Sequence, residues 1–547
     1  MTEGTTMRPA TRSPRTTEAA ATPAPGPRSA SLSPARALGL PLAFTLGLLG
    51  FGLLDSVREN RNLLWSFLGA GGVLLAWSAA LFVSAVRKGR TLTLEIVLRK
   101  QHYLQACAQG SVLLYWGWHW RQVYDSAHLI AAQLVFAYAF DVLLAWSRRD
   151  AYTLGFGPFP VIFSINLFLW FRQDWFYFQF LMVGLGFAAK ELIQWEKEGR
   201  WAHIFNPSSF PLAIFSVGLM VTGLSDLTWG QEIASTQFYP PHMYLLLFLI
   251  GLPGQFFFGV TSMTMSAVVA TYLFGLLYFV TTGTYFFYDS YIPIAVFLGM
   301  HLLFTDPSTS PRTELGRIMF GALYGLSTVL LYELLGTFGM PTFYDKLLQV
   351  PILNLSIKLI DRAARSGALQ RLDPARLGRS LLPRQRHLAY MSVWTVVFAI
   401  MSATQGVGDS HPGQWLPFWR QACHDDRPYA CSYLADLEAQ FCNRGSGWAC
   451  NELGILQAQR ELDRAGAAES LQRGCELGFT AACANAGTLA VSSATLDSAP
   501  PTLNDYPIIL KGSKGPVTDR APSALYALAC EEGWVDSCGP ANEAGGN

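Results

Sequence analysis

Thirteen apolar runs, at 38–54, 63–86, 104–119, 128–146, 155–171, 175–194, 209–224, 242–259, 261–282, 291–304, 316–338, 347–360 and 389–404, follow one another with short polar breaks between them. A helix that crosses a bilayer needs roughly 20 apolar residues, about 17–25. Inside lipid every backbone N–H and C=O must be satisfied within the segment itself or in a closed barrel. The succession therefore points to an all-α fold, a polytopic transmembrane helical bundle. Several runs are short, and 347–360 also fits a re-entrant or interfacial segment. About 10 to 13 spans are expected.

Composition agrees. Charged residues make up 14% of the chain, against about 25% in soluble domains, and they cluster between the runs. Arg87, Lys88, Arg90, Arg99 and Lys100 form one basic connection, Arg148 and Arg149 a second, Lys197 and Arg200 a third. Arg312 and Arg317 follow, then the stretch from Lys358 to Arg386. With the N-terminus inside, the full set of runs puts each cluster in the cytoplasm, as positive charge near span ends requires. Residues 1–36 have no apolar run and read as a disordered cytoplasmic tail. A cleavable signal core is the competing reading of 38–54, and the second long run close behind it argues against that. The expected domains are the tail, a membrane core over 37–362, a basic cytoplasmic linker over 363–388, a last span at 389–404, and a cysteine-rich domain over 421–547. A net charge of +1 gives no reason to expect nucleic acid.

Eight of the nine cysteines lie in that last domain as four C-x7-C pairs: Cys423 and Cys431, Cys442 and Cys450, Cys475 and Cys483, Cys530 and Cys538. Eight residues of continuous helix rise about 12 Å, too far for a disulfide, which needs Cα atoms within about 7 Å. A bridge within a pair thus requires a reversal, and Pro428, Gly445 with Gly447, Gly478 and Gly533 supply one. Each pair would staple the end of one short helix to the start of the next. Zinc fits less well, because the tight C-x2–4-C clip is missing; free thiols are the remaining alternative. Disulfides place the domain outside the cytoplasm, the side to which the charge pattern also sends it. The flanks 474–483 and 449–454 resemble cysteine-rich Sel-like repeats, which implies an α-solenoid that docks an extracytoplasmic protein partner; a cap that only stabilises the fold is the plainer alternative. A polar insertion near 491–520 interrupts the likeness.

Two turns stand out in the core. His203-Ile-Phe205-Asn206-Pro207-Ser208 and His301-Leu-Leu-Phe-Thr305-Asp306-Pro307-Ser308 share the order His, Phe, short amide or carboxylate, Pro, Ser. Proline removes a donor and disfavours helix before it, while Asn or Asp closes a local turn. Such breaks in two halves of a membrane core suggest an internal repeat and a midplane site; helix caps at the membrane edge are the plainer alternative.

These residues, with Gly316-Arg317 and Phe320-Gly321, resemble the signatures of the RnfD/NqrB membrane subunits of ion-translocating electron-transport complexes. From about 100 to 362 the chain is similar to the UnbU-type proteins of that superfamily, associated with enediyne biosynthesis, in runs such as 136–141, 146–150, 155–160 and 341–347. The resemblance implies a multi-pass protein of a bacterial cytoplasmic (inner) membrane, other membrane electron-transport subunits as partners, and flavin mononucleotide as cofactor. By that likeness, residues 203, 205–208 and 305–307 are candidate cofactor-binding positions. The family esterifies its flavin to Thr in a Ser/Gly-Ala-Thr motif. Here the corresponding stretch is 260–267, where Thr261 and Thr264 offer hydroxyls but the motif is absent. Non-covalent flavin or quinone is equally open.

Asp141 and Glu333 lie inside apolar runs, where a carboxylate is a candidate for ion handling. Pairing of Asp141 with Arg148 or Arg149 is the plainer explanation, and Lys190 and Glu191 read as interfacial. No nucleotide-binding loop, metalloprotease motif or nucleophile elbow is present. Three functions follow: a component of redox-linked ion transport, a transporter or channel of the same fold without a cofactor, or a membrane scaffold recruiting partners through its repeats.

Overall fold

The computed structural model describes residues 28–197, 199–377, 381–459, 464–491, 495–510 and 521–545. Every apolar run falls on a helix: α1 (Pro34–Phe51), α2 (Arg61–Arg87), α3 (Lys100–His119), α4 (Ala127–Arg149), α5 (Pro158–Asn166), α6 (Tyr177–Leu192), α7 (Ser209–Thr222), α8 (Met243–Phe258), α9 (Thr261–Thr282), α10 (Ile294–Leu302), α11 (Glu314–Thr337), α12 (Gln349–Ala364) and α13 (Pro383–Ala403). Local chemistry sets the ends. Asn60 and Thr313 cap α2 and α11 through their side-chain oxygens, at 3.0 and 3.1 Å from the Leu63 and Gly316 amides. Gly259, in the left-handed region at φ 65°, ends α8 and lets α9 begin two residues later.

By length and apolarity α1, α2, α4, α9 and α11 can each cross a membrane, and α7 and α8 are shorter apolar helices. Their outer surfaces are apolar. Trp65, Leu68 and Val73 on α2, Leu277 and Val280 on α9, and Leu330 on α11 are all exposed. A surface this greasy over long helices suits lipid as the solvent. Small residues close the α9–α11 seam: a Cβ on Gly321 or Gly325 would run into the carbonyls of Met263 or Ala267.

Helix ends gather on two opposite faces. On one, β1 (Arg28–Leu32) pairs antiparallel with β2 (Leu92–Ile96), which pairs parallel with β3 (Ala151–Leu154), matching Ala30 to Leu94 and Leu94 to Tyr152. A hairpin of β4 (Gln194–Lys197) and β5 (Arg200–His203) lies on the same face. Basic connections meet here: Arg90 pairs with Asp150 at 2.9 Å, Lys197 donates to the Ser310 carbonyl at 2.9 Å, and Lys358 lies over the Trp195 ring at 4.5 Å. On the far face Asn60 bonds Asp174 at 2.9 Å and Arg172 bonds Glu232 at 2.7 Å.

Two expectations need correction. Residues 28–36 are not a featureless tail: β1 and the start of α1 occupy them, because β2 offers a partner strand that composition cannot reveal. The remainder of the tail, 1–27, is outside the described residues. The helix that carries the last apolar run likewise begins earlier than 389, since Pro383 opens α13 within the expected basic linker.

The cysteine-rich region is helical: α14 (Leu416–His424), α15 (Ala430–Asn443), α16 (Gly447–Gln459), α17 (Arg464–Glu476), α18 (Thr480–Val491), α19 (Pro522–Glu531) and α20 (Val535–Gly545). All four C-x7-C pairs form disulfides, with Cα separations of 4.6, 4.6, 4.5 and 4.8 Å. Each joins one helix to the next. Gly445, Gly478 and Gly533 turn the chain at φ 102°, 88° and 93°. Part of the polar insertion packs back on α16, where the Trp448 indole donates to the Ala499 carbonyl at 2.7 Å. The domain sits on the far face of the core: Arg427 donates to the Gly283 carbonyl at 2.9 Å and Tyr433 to that of Phe286 at 3.1 Å.

Candidate functional site

The two Pro-Ser turns are built alike. Asn206 Oδ1 accepts from the Ser208 amide and hydroxyl at 3.0 and 2.7 Å. Asp306 Oδ1 accepts from the Ser308 amide and hydroxyl at 2.9 and 2.8 Å. They also touch. His203 Nε2 lies 3.3 Å from Asp306 Oδ2, and Asn206 Nδ2 donates to the Leu303 carbonyl at 3.0 Å. Asn354 of α12 clamps both, accepting from the Asn206 amide at 3.1 Å and donating to the Thr309 carbonyl at 3.1 Å. Burial pushes the Asp306 carboxyl upward, but the His203 contact and the Ser308 donors outweigh it and hold it at about 2. Gly186 on α6 gives the Asn206 turn its room, because a Cβ there would meet the Pro207 carbonyl.

The stitched turns form one wall of a cavity of about 740 Å³ that reaches from the sheet face into the core. Its mouth is rich in cations: Arg99, Lys190 and Arg312 line it together with His102. Arg149 also lines it but is paired with Glu191 at 3.0 Å. Of the two expected partners of Asp141, Arg149 is therefore engaged elsewhere, and Asp141 faces the cavity without an ion pair among the described residues. The deep end is at Gln109, whose amide donates to Ser164 Oγ of α5 at 2.7 Å and to the Leu302 carbonyl of α10 at 3.3 Å.

That meeting point has a structural cause. α5 and α10 are nine residues long, and each gives way to non-helical chain, over 167–172 and 303–306. Their broken ends need polar partners inside an apolar core. Gln179 supplies one, accepting from the Phe171 amide at 3.1 Å, and is tied to Gln133 and Asn166 through contacts of 2.9–3.0 Å. Sequence reasoning missed these amides, although Gln and Asn inside apolar runs were the available signal. It also missed Asp345 and Lys346, a buried pair at 3.1 Å beside Tyr324.

The other candidates are placed as follows. Pro207 and Pro307 line the cavity, and Phe205 stacks on Phe210 with ring centroids 4.5 Å apart. Thr305 turns to a second, smaller chamber. Glu333 is exposed near the far end of α11 and joins neither cavity. Thr261 and Thr264 are 1% and 0% exposed, and neither hydroxyl opens on a cavity.

The chain matches no family model, no curated protein and no solved structure. The function therefore has to be read from the site itself.

Flavin can be tested against that site. An ester at Thr261 or Thr264 does not fit, since a phosphate cannot reach a hydroxyl sealed in the first turn of α9. Non-covalent flavin nucleotide does fit. The cavity volume falls in the range of about 300–1,000 Å³ common for small-molecule sites. Its mouth offers cations to a phosphate, and Ala145, Pro160, Val161 and Leu302 offer an apolar wall to a ring system.

Proposed function

We propose that this protein is an integral membrane component of an electron-transport or redox-linked ion-transport system that holds a flavin nucleotide non-covalently in the cavity of about 740 Å³, hereafter the funnel. One observation carries this reading: a cavity with a cationic mouth and an apolar, amide-floored depth, walled by the two turns that suggested the family. Arg99 and Lys190 would hold the phosphate, and the stitched turns would fix the depth of the ring. The flavin would supply one- and two-electron chemistry. The sheet face is cytoplasmic in this proposal, because it carries the basic connections. The thirteen segments each traverse a bacterial inner membrane, α5 and α10 by means of the non-helical chain over 167–172 and 303–306 that continues them, and the disulfide domain faces outward to receive a protein partner. Other electron-transport subunits would pack on the lipid-facing helices.

The proposal includes an inverted repeat in which α3–α7 and α8–α12 run in the same order but in opposite directions across the core. The corresponding breaks are then the ends of α5 and α10. The two Pro-Ser turns occupy different places in the two halves and are matched by local chemistry, not by the repeat.

A second reading is favoured by those broken helices. Discontinuous helices meeting at midplane are the mark of transport sites, so the funnel would instead admit a small anionic substrate. Titration of the nanodisc-embedded protein with flavin mononucleotide and with riboflavin separates the two. The redox reading expects both to bind, the nucleotide more tightly. Arg99→Gln with Lys190→Gln should weaken the nucleotide roughly tenfold, about 1.4 kcal/mol, and leave riboflavin unchanged. Absence of binding by either flavin removes the redox reading and leaves the transport and scaffold readings.

A further inference from the structure

Beside the funnel, between α3, α8 and α10, lies a chamber of about 20 Å³ lined by Gln105, Gly251, Gln255, Phe258, His301 and Thr305. Its polar groups are unusual for so dry a place. His301 is 2% exposed and Gln255 1%. Neither His301 Nε2 nor either amide atom of Gln255 has a hydrogen-bond partner among the described residues. Orphaned polar atoms at this depth are costly unless something bridges them.

The tautomer of His301 says what kind of bridge is needed. Nδ1 lies 2.7 Å from the Phe297 carbonyl, which can only accept, so Nδ1 carries the proton and Nε2 presents a lone pair. Gln255 offers both a donor and an acceptor, but not in direct contact with the ring. Gly251 explains why the space exists: a Cβ there would come within 3.1 Å of His301 Cδ2 and 3.3 Å of Gln255 Nε2. A group that donates to Nε2, both accepts from and donates to an amide, and occupies about one probe sphere is a water molecule.

We infer that this chamber is a binding site for a single water, held by His301 Nε2 and the Gln255 amide. Gln105 and Leu302 line both the chamber and the funnel, so the bound water exchanges with funnel solvent across that shared wall. Hydration thus extends past Leu302 to an imidazole lone pair in the middle of the bundle. The inference is independent of whether the funnel takes a flavin or another anion.

X-ray radiolytic footprinting of the full chain in nanodiscs tests it, because radicals born from a bound water oxidise the side chains around it. Phe297, whose ring centroid lies 4.2 Å from that of His301 but outside the chamber, is the dry internal control. Oxidation of His301 and Phe258 severalfold above Phe297 is expected, with Gly251→Ala lowering both toward the control. In oxygen-18 water, label should reach His301 more slowly than the funnel residue His203. Equal, background oxidation of His301 and Phe297 in the unmodified protein overturns the inference, and this comparison does not depend on any variant folding.

Discussion

His203 Nε2 and Asp306 Oδ2 stand 3.3 Å apart although 103 residues separate them. The contact joins the β4–β5 hairpin to the turn that follows α10, and so sets one wall of the funnel.

Removing Asp306 should therefore cost more than its exposure suggests. Asp306→Ala loses the histidine contact and the two Ser308 donors, and a destabilisation of about 1–3 kcal/mol is expected. Asp306→Asn should recover much of this, since Asn206 closes the sister turn with the same geometry. Thermal unfolding of the purified full chain reads the order: aspartate above asparagine above alanine.

Acid sensitivity follows from the same residue. Its carboxyl is held at about 2 against an ordinary 3.8, so the stabilisation it gives is present above the ordinary value and lost as pH falls through about 2. Unfolding midpoints followed downward from pH 4 should drop more steeply for the unmodified protein than for Asp306→Asn. Parallel curves would show that the charge adds nothing.

Glu438 should show the opposite slope. It is 1% exposed, its Oε2 has no hydrogen-bond partner among the described residues, and burial followed by the charge of Glu452 pushes its carboxyl well above the ordinary 4.5. The neutral form is favoured in the fold, so the stability it gives is complete below 4.5 and is lost as pH rises through the raised value. Glu438→Gln should stabilise the disulfide domain at neutral pH and flatten its pH dependence. Denaturant titration monitored by tryptophan fluorescence checks both points.

The disulfides predict a mass and a stability. Alkylation before reduction should modify Cys107 alone, the exposed free thiol, and reduction should expose eight more. Replacing Cys475 and Cys483 together by serine should cost about 2–3 kcal/mol, the loop entropy of so short a closure. Labelling of Cys423–Cys538 as free thiols in intact cells would place the domain in the cytoplasm and reverse the proposed orientation.

At the α9–α11 seam, Gly321→Leu should be among the most damaging single substitutions. Its side chain would collide with the Met263 carbonyl, which backbone cannot yield cheaply. A loss of about 1–3 kcal/mol or more should appear as a lower unfolding temperature and poor recovery of folded protein in detergent.

What the sequence determined by itself is local. Runs of apolar residues placed the helices, because a helix in lipid satisfies its own backbone whatever surrounds it. Pairs of cysteines around a glycine or proline reversal marked the stapled hairpins, and Asn206-Pro207-Ser208 and Asp306-Pro307-Ser308 announced their own turns through side-chain chemistry within three residues. Only the tertiary structure decided that these turns meet, that α5 and α10 stop short at Gln109, that Arg149 takes Glu191 and leaves Asp141 to the funnel, and that Thr261 and Thr264 are sealed. Each of those outcomes depends on which groups from distant segments arrive at the same place in a medium of low dielectric. There an unsatisfied polar atom costs more than a local preference can repay, and no short stretch of sequence records its partner.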